Sequence, residues 1–171
     1  MSEHASGERD ALLAEAVCLR ERGDREEARV RLLALAARHP EDAEVAYQTA
    51  WAHDVLGLEA EAVAFYERAL RASGTELTEE DRRGALLGLG STYRILGRYE
   101  DAVGILRRGA EEFPDDGALR AFLAMALFNT GEHHASARLL LRLLAATSED
   151  ASVRRYRAAI EHYALDLHKT L

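Results

Sequence analysis

The chain is poor in the residues that staple, break or anchor a fold. A single cysteine among 171 residues, Cys18, excludes an internal disulfide and fits a reducing compartment. Only two prolines, Pro40 and Pro114, interrupt it, and aromatics make up 6%. No apolar run approaches the roughly 20 residues that a membrane span needs, which leads us to expect no membrane partner. Residues 1–8 are polar, lack the apolar core of a secretory signal, and read as a short frayed tail. Lysine is almost missing too: all but one of the 22 cationic side chains are arginine, Lys169 being the exception. A formal charge of −8 argues against a nucleic-acid partner, because phosphates reward clustered cations. The densest basic cluster is Arg154, Arg155 and Arg157, read as a solvated helix face.

What the chain does have is alanine, leucine, arginine and glutamate in quantity, with 48% hydrophobic residues. That composition predicts an all-helical domain of adequate size to bury a core. Four glycines organise it. Gly23 and Gly57 are 34 residues apart, as are Gly97 and Gly131, while the middle interval is 40. Each glycine closes a helix-like run and is followed, five positions on, by a small residue: Ala28, Ala62, Ala102 and Ser136. Glycine there permits the left-handed conformation that ends a helix and lets the chain reverse. The small residues permit two antiparallel helices to approach, and Ala16, Ala50, Gly90 and Ala124 answer them on the first helices.

Setting each glycine at position 15 of a 34-residue unit yields repeats at 9–42, 43–76, 83–116 and 117–150. The six surplus residues form an insertion at 77–82. Thr78 and Asp81 there resemble a capping box, so the insertion is expected to lengthen the next helix rather than form a loose loop. Ser73 and Gly74 are expected to end the helix before it. Residues 151–171 form an expected capping helix, in which Val153, Tyr156, Ile160, Tyr163 and Leu167 recur at helical spacing as one apolar stripe.

A period of 34 is that of the tetratricopeptide repeat (TPR). The third unit carries Leu89, Gly90, Tyr93, Gly97, Tyr99, Ala102 and Pro114 where that pattern wants them, and the chain resembles the TPR family on these residues. The resemblance implies an all-α, right-handed superhelical solenoid of four helix-turn-helix repeats plus a C-terminal capping helix, a single domain over 9–171. From RRGALLGLGSTYR through RYRAAIEHYA the chain is similar to small stand-alone bacterial TPR proteins without an assigned activity, which implies a cytoplasmic interaction module.

In TPR proteins that bind peptides, the first helix of each hairpin lines a concave wall. Carried over position by position, that wall comprises Leu13, Val17 and Arg20; Tyr47, Trp51, Asp54 and Val55; Leu87, Ser91, Arg94 and Ile95; and Ala121, Met125, Phe128 and Asn129. So apolar a wall implies a cover. Trp51 heads the candidates, either as a recognition residue or as a filler between hairpins. A mode that clamps a carboxylate through lysine, asparagine and arginine would need donors at Leu13, Val17, Trp51, Gly84 and Gly88, and these supply no charged donor. Arg20, Arg94 and Asn129 are left as anchors for an acidic group. The implied partner is a peptide or helix of another protein, or else a second copy of this chain.

Chemistry is sparse. His133 and His134 are adjacent and diverge by about 100° on a helix, and His162 and His168 are also off-face, so no metal site is expected. His53 reads as an interior histidine, and Cys18 as a packed or half-exposed residue. The carboxylate runs at Glu26, Glu79, Glu111 and Asp115 sit at helix ends, where they meet backbone dipoles or solvent. Neither a cofactor nor a catalytic activity is expected.

Overall fold

The structure is a computed structural model that describes residues 2–72 and 76–168. Eight helices pair as four hairpins: α1 (Ser2–Glu21) with α2 (Arg25–Arg38), α3 (Ala43–Asp54) with α4 (Glu59–Arg71), α5 (Glu79–Ile95) with α6 (Tyr99–Glu112), and α7 (Gly117–Asn129) with α8 (His133–Thr147). The second helices α2, α4 and α6 also pack on the first helix of the next hairpin. The first helices follow one another along one wall of the resulting solenoid.

The hairpin turns share one construction. Gly23, Gly57, Gly97 and Gly131 have φ between 73° and 97°, and no other described residue has a positive φ. In each turn the amide after the glycine reaches back five residues: Asp24 to Leu19 O, Leu58 to His53 O, Arg98 to Tyr93 O and Glu132 to Leu127 O, all between 2.8 and 3.0 Å. These bonds use carbonyls that the ending helix leaves unpaired. A Cβ at Gly97 has open space around it, so only backbone strain opposes a side chain there. Gly97→Ala is expected to lower unfolding stability by about 1–2 kcal/mol, read by urea denaturation.

The first helices of the later hairpins begin with side-chain caps. Asp42 accepts from the Val45 amide, Thr78 from Asp81 and Asp116 from Leu119. Second helices start directly from the glycine turns without such caps, and α2, α4 and α6 instead carry acidic first turns that suit the positive end of the helix dipole. Two arginines at position 1 of their units return to the cap that closes the unit. Arg9 meets Asp42 at 2.7 Å, and Arg83 lies 3.7 Å from Asp116.

The small residues sit where the helices cross. Ala16, Ala28, Ala50, Ala62, Ala102 and Ala124 have no exposed surface, and Ser136 Oγ donates to Ala124 O at 2.6 Å. Gly90 lies against Leu106, whose side chain is fully buried. One core cluster runs through hairpins two to four, and a smaller one joins hairpin one to α3. Phe65 packs against both.

The insertion does lengthen a helix: α5 has 17 residues where α3 has 12 and α7 has 13. Thr78 Oγ1 both accepts from the Asp81 amide and donates to its carboxylate at 2.9 Å. The expected helix end at Ser73 and Gly74 lies outside the described residues.

Both ends of the chain depart from expectation. The helical backbone of α1 begins at Ser2, so the stretch read as a frayed tail continues into the first helix. The C-terminal segment is two helices, α9 (Ala151–Arg155) and α10 (Arg157–Ala164), separated at Tyr156, where φ is −100° and ψ is 12°. Its apolar stripe is mostly uncovered. Ala164 is buried and Val153 and Ile160 are half-buried, but Tyr156, Tyr163 and Leu167 are exposed. The physical reason is that among the described residues α10 packs on α8, which covers only one of its sides.

Candidate binding groove

The wall expected from the first helices divides into residues that line one cavity and residues that serve elsewhere. A cavity of about 520 Å³ opens between hairpins two, three and four. Tyr47, Trp51, Asp54, Leu87 and Ser91 line it, as do Val55 and Ile95. Leu13 and Val17 do not: Leu13 is buried in the hairpin-one cluster and Val17 packs on that cluster. Phe128 is exposed and meets the His133 ring at 4.6 Å between centroids, while Met125 and Asn129 are exposed farther along the wall.

Trp51 has one covered face. The Arg20 guanidinium lies 3.8 Å from its ring centroid, and Tyr47 is a tilted ring neighbour at 5.9 Å. The ring nevertheless keeps 41% of its surface exposed. Trp51 thus packs on Arg20 and Tyr47 while part of its ring stays open to the cavity. Arg20 is 7% exposed and donates to Gln48 Oε1 at 2.8 Å, so it stiffens the indole from behind instead of lining the cavity. Burial pushes its pKa down from the usual arginine range. Arg94 also lies outside the lining. Its Nη2 reaches Met125 Sδ at 3.8 Å, and its buried Nε meets no acceptor among the described residues.

Several lining residues come from outside the expected set. Tyr66 reaches in from second helix α4, Glu59 from the start of that helix, and Phe122 from α7. Gly84 and Gly88 contribute by having no side chain. A Cβ at Gly84 would stand 2.9 Å from Tyr47 Cζ, and one at Gly88 2.8 Å from Tyr66 Cε1. Both separations are too short for carbon atoms, so the two tyrosines can lie against α5 only because glycine is there. Two glycines four apart, on one face of a helix, were the available signal for this close approach.

Asp54 sits at the floor of the cavity. Tyr66 Oη donates to its Oδ2 at 2.6 Å and Thr92 Oγ1 to its Oδ1 at 3.0 Å, so one carboxylate ties α3 to α4 and α5. Burial raises its pKa, and the two hydroxyl bonds oppose that rise only in part. Burial likewise pushes Tyr47 up to about 12 and raises Tyr66. Because the native state holds the Asp54 proton more tightly than the unfolded chain does, ionised Asp54 costs stability at neutral pH. That cost is relieved as the pH falls through the raised value.

Asp42 has the opposite sign. Burial works against its charge, but the bonds from Arg9 and the Val45 amide prevail and depress its pKa. Its contribution is full above the ordinary aspartate range, near pH 4, and is lost as the pH falls through the depressed value. At pH 7, Asp54→Asn is therefore expected to keep or raise the thermal midpoint. Asp42→Ala is expected to lower it, with a loss of about 1 kcal/mol or more from the cap alone.

The histidines are structural in their contacts. His53 is buried, its Nδ1 is 2.7 Å from Thr49 O, and its ring stacks on Phe65. His134 stacks on His168 at 5.6 Å. Among the described residues, no group of three or more His, Cys, Asp or Glu side chains gathers in a way that could hold a metal. Cys18 is exposed, more open than the packed or half-exposed position expected for it. No helix among the described residues is long and apolar enough to cross a membrane.

The hairpin geometry and the glycine turns agree with the family comparison. Residues 43–167 match the family described as "Tetratrico peptide repeat", and residues 9–76 match a second, "Tetratricopeptide repeat". The chain belongs to the tetratricopeptide repeat family, whose fold is typical of protein-protein interaction modules and generally not of enzymes. Among solved structures it resembles MamA (residues 41 to the end) from Desulfovibrio magneticus RS-1, with a TM-score of 0.72, 18% identity, and coverage of 92% of this chain and 89% of that one. It also resembles YrrB, a TPR protein with an unusual peptide-binding site, with a TM-score of 0.63, 20% identity, and coverage of 92% and 84%. A third similar structure is pilF of Pseudomonas aeruginosa, with a TM-score of 0.66, 18% identity, and coverage of 92% and 69%. At these identities the likeness is one of fold. None of the curated protein sequences matches the chain.

Proposed function

We propose that the protein is a non-catalytic adaptor that binds a peptide or short helix of another protein in the groove around Trp51. The observation that carries this reading is the cavity itself: an indole 41% exposed, held from behind by Arg20, over a hollow where Gly84 and Gly88 let Tyr47 and Tyr66 lie close against α5. A large aromatic held rigid at the edge of an apolar hollow is the usual composition of a binding hot spot. The wall expected from the sequence divides accordingly. Tyr47, Trp51, Asp54, Leu87 and Ser91 form the contact surface, Arg20 supports it, and Arg94, Met125, Phe128 and Asn129 extend it toward the fourth hairpin. Leu13 and Val17 belong to packing. The cytoplasm suits a chain with one exposed thiol and no disulfide. Affinity capture from source-cell lysate with wild-type and Trp51→Ala protein tests the reading. Partners held by the wild type should be lost from the variant, and equal retention by both contradicts it.

A second reading has its own observation. Tyr156, Tyr163, Leu165 and Leu167 are exposed near the C-terminus, beside exposed Leu140 and Leu144 of α8. In this reading the groove receives the terminal segment of a second copy, and the protein is a self-assembly scaffold. Light scattering across concentration separates the two, since a stable dimer abolished by Trp51→Ala belongs to the scaffold alone.

A further inference from the structure

Asp54 and Glu59 are the charged side chains in the cavity lining, and both are acidic. An ionised carboxylate has about four acceptor sites. Tyr66 and Thr92 take one on each oxygen of Asp54, and both are neutral donors. Among the described residues no ion pair forms with it, and the charge effect of His53 is a minor one beside burial. Arg20 is committed to Gln48 and the Trp51 ring, Arg94 reaches Met125, and His53 Nδ1 is tied to Thr49 O. A part-buried carboxylate without an ion pair is a costly arrangement for stability alone, and the upward push that burial gives its pKa reports that cost.

The rest of the lining suits a long cationic side chain. Leu87, Ile95, Val55 and Phe122 offer an apolar sleeve, and Tyr47 and Trp51 add aromatic rings, a residue type that attracts cations. Arginine and lysine carry a methylene stem that packs on such surfaces and a charged head that needs an acceptor. A guanidinium adds a planar fork that matches a carboxylate. An acidic ligand would instead meet two like charges. Arg20 and Arg94, the anchors for an acidic group suggested by sequence position, both lie outside this lining.

We infer that the groove is a receptor for an arginine or lysine side chain of a partner peptide, with the Asp54 carboxylate as its anchor and the Trp51 and Leu87 walls as the sleeve for its stem. This rests on the groove being a peptide site. Asp54 then has two tasks: it fastens α3 to its neighbours through Tyr66 and Thr92, and it presents its remaining acceptor sites to the cation.

Random peptides displayed on phage and selected on immobilised wild-type, Trp51→Ala and Asp54→Asn proteins test the inference. Peptides whose capture requires Trp51 should share one basic position flanked by apolar residues, and selection on Asp54→Asn should lose the basic position while keeping the apolar ones. In a synthetic copy, replacing that residue with citrulline, or with norleucine if it is lysine, should weaken binding to the wild type about tenfold or more. The same replacement should change binding to Asp54→Asn little. Trp51-dependent peptides with no basic position, or with an acidic residue in its place, overturn the cation anchor and leave the groove standing. A selection without any Trp51-dependent peptide overturns the groove and the anchor together. Should Asp54→Asn not fold, as judged by circular dichroism, the neutral replacement on the wild type decides, and unchanged affinity overturns the inference.

Discussion

Trp51→Ala is expected to weaken binding of a groove peptide by about thirtyfold or more, the loss of at least about 2 kcal/mol seen at interface hot spots. The size of the effect follows from how the ring is held. Arg20 covers one face at 3.8 Å and Tyr47 lies beside the ring at 5.9 Å between centroids, so the indole is ordered before any ligand arrives and little rotamer freedom is lost on binding. Removing it takes away the wall of the cavity and leaves the Arg20 guanidinium, bonded to Gln48, without its aromatic cover. Fluorescence anisotropy of a labelled peptide measures the change. The variant should keep its helical circular dichroism, because Trp51 lies outside both core clusters. An affinity loss below threefold would remove Trp51 from the centre of the site.

The largest stability effect is expected at Gly90. A Cβ there would stand 2.6 Å from Leu106 Cδ2, and Leu106 is fully enclosed, so it has no direction in which to yield. Gly90→Ala adds a better helix former to α5, a gain of about 1 kcal/mol at an open site. At this crossing the overlap should outweigh that gain and give a net loss of about 1–3 kcal/mol, as overpacking a tight interior does. Gly104, on the exposed face of α6, makes the paired control: nothing lies within 4 Å of its added Cβ. Gly104→Ala should therefore stabilise by about 0.5–1 kcal/mol. Urea denaturation of the two variants reads opposite signs from the same chemical change, and a matching sign would mean that helix approach does not govern position 90.

The contrast between these glycines also marks how far the sequence could be read. Turn glycines, crossing alanines and the Thr78 cap were legible because each is dictated by local geometry: a positive φ, a missing Cβ, a side chain reaching three residues on. Their spacing placed the four hairpins and lengthened α5. The cavity-facing sides of α3 and α5 were legible in part, since Tyr47, Trp51, Asp54, Leu87 and Ser91 line one cavity. Depth was not legible. Leu13, Arg20 and Trp51 occupy repeating wall positions, yet Leu13 and Arg20 are buried while Trp51 is open, because depth is set by what the neighbouring hairpin places opposite. Gly84 and Gly88 act through an absence, and their effect depends on Tyr47 and Tyr66 lying far away in sequence. The terminal stripe failed for a related reason. Helical periodicity shows which residues align, but burial needs a partner surface, and α8 covers only one side of α10.

The account turns on Trp51 lying open in the free protein and covered in the complex. It is the one tryptophan of the chain, so its fluorescence reports on the groove without interference. Acrylamide quenching of the monomer, free and then saturated with a tryptophan-free peptide from the selection, tests this most directly. The account predicts efficient quenching of the free protein and protection in the complex. Equal quenching of both would contradict it.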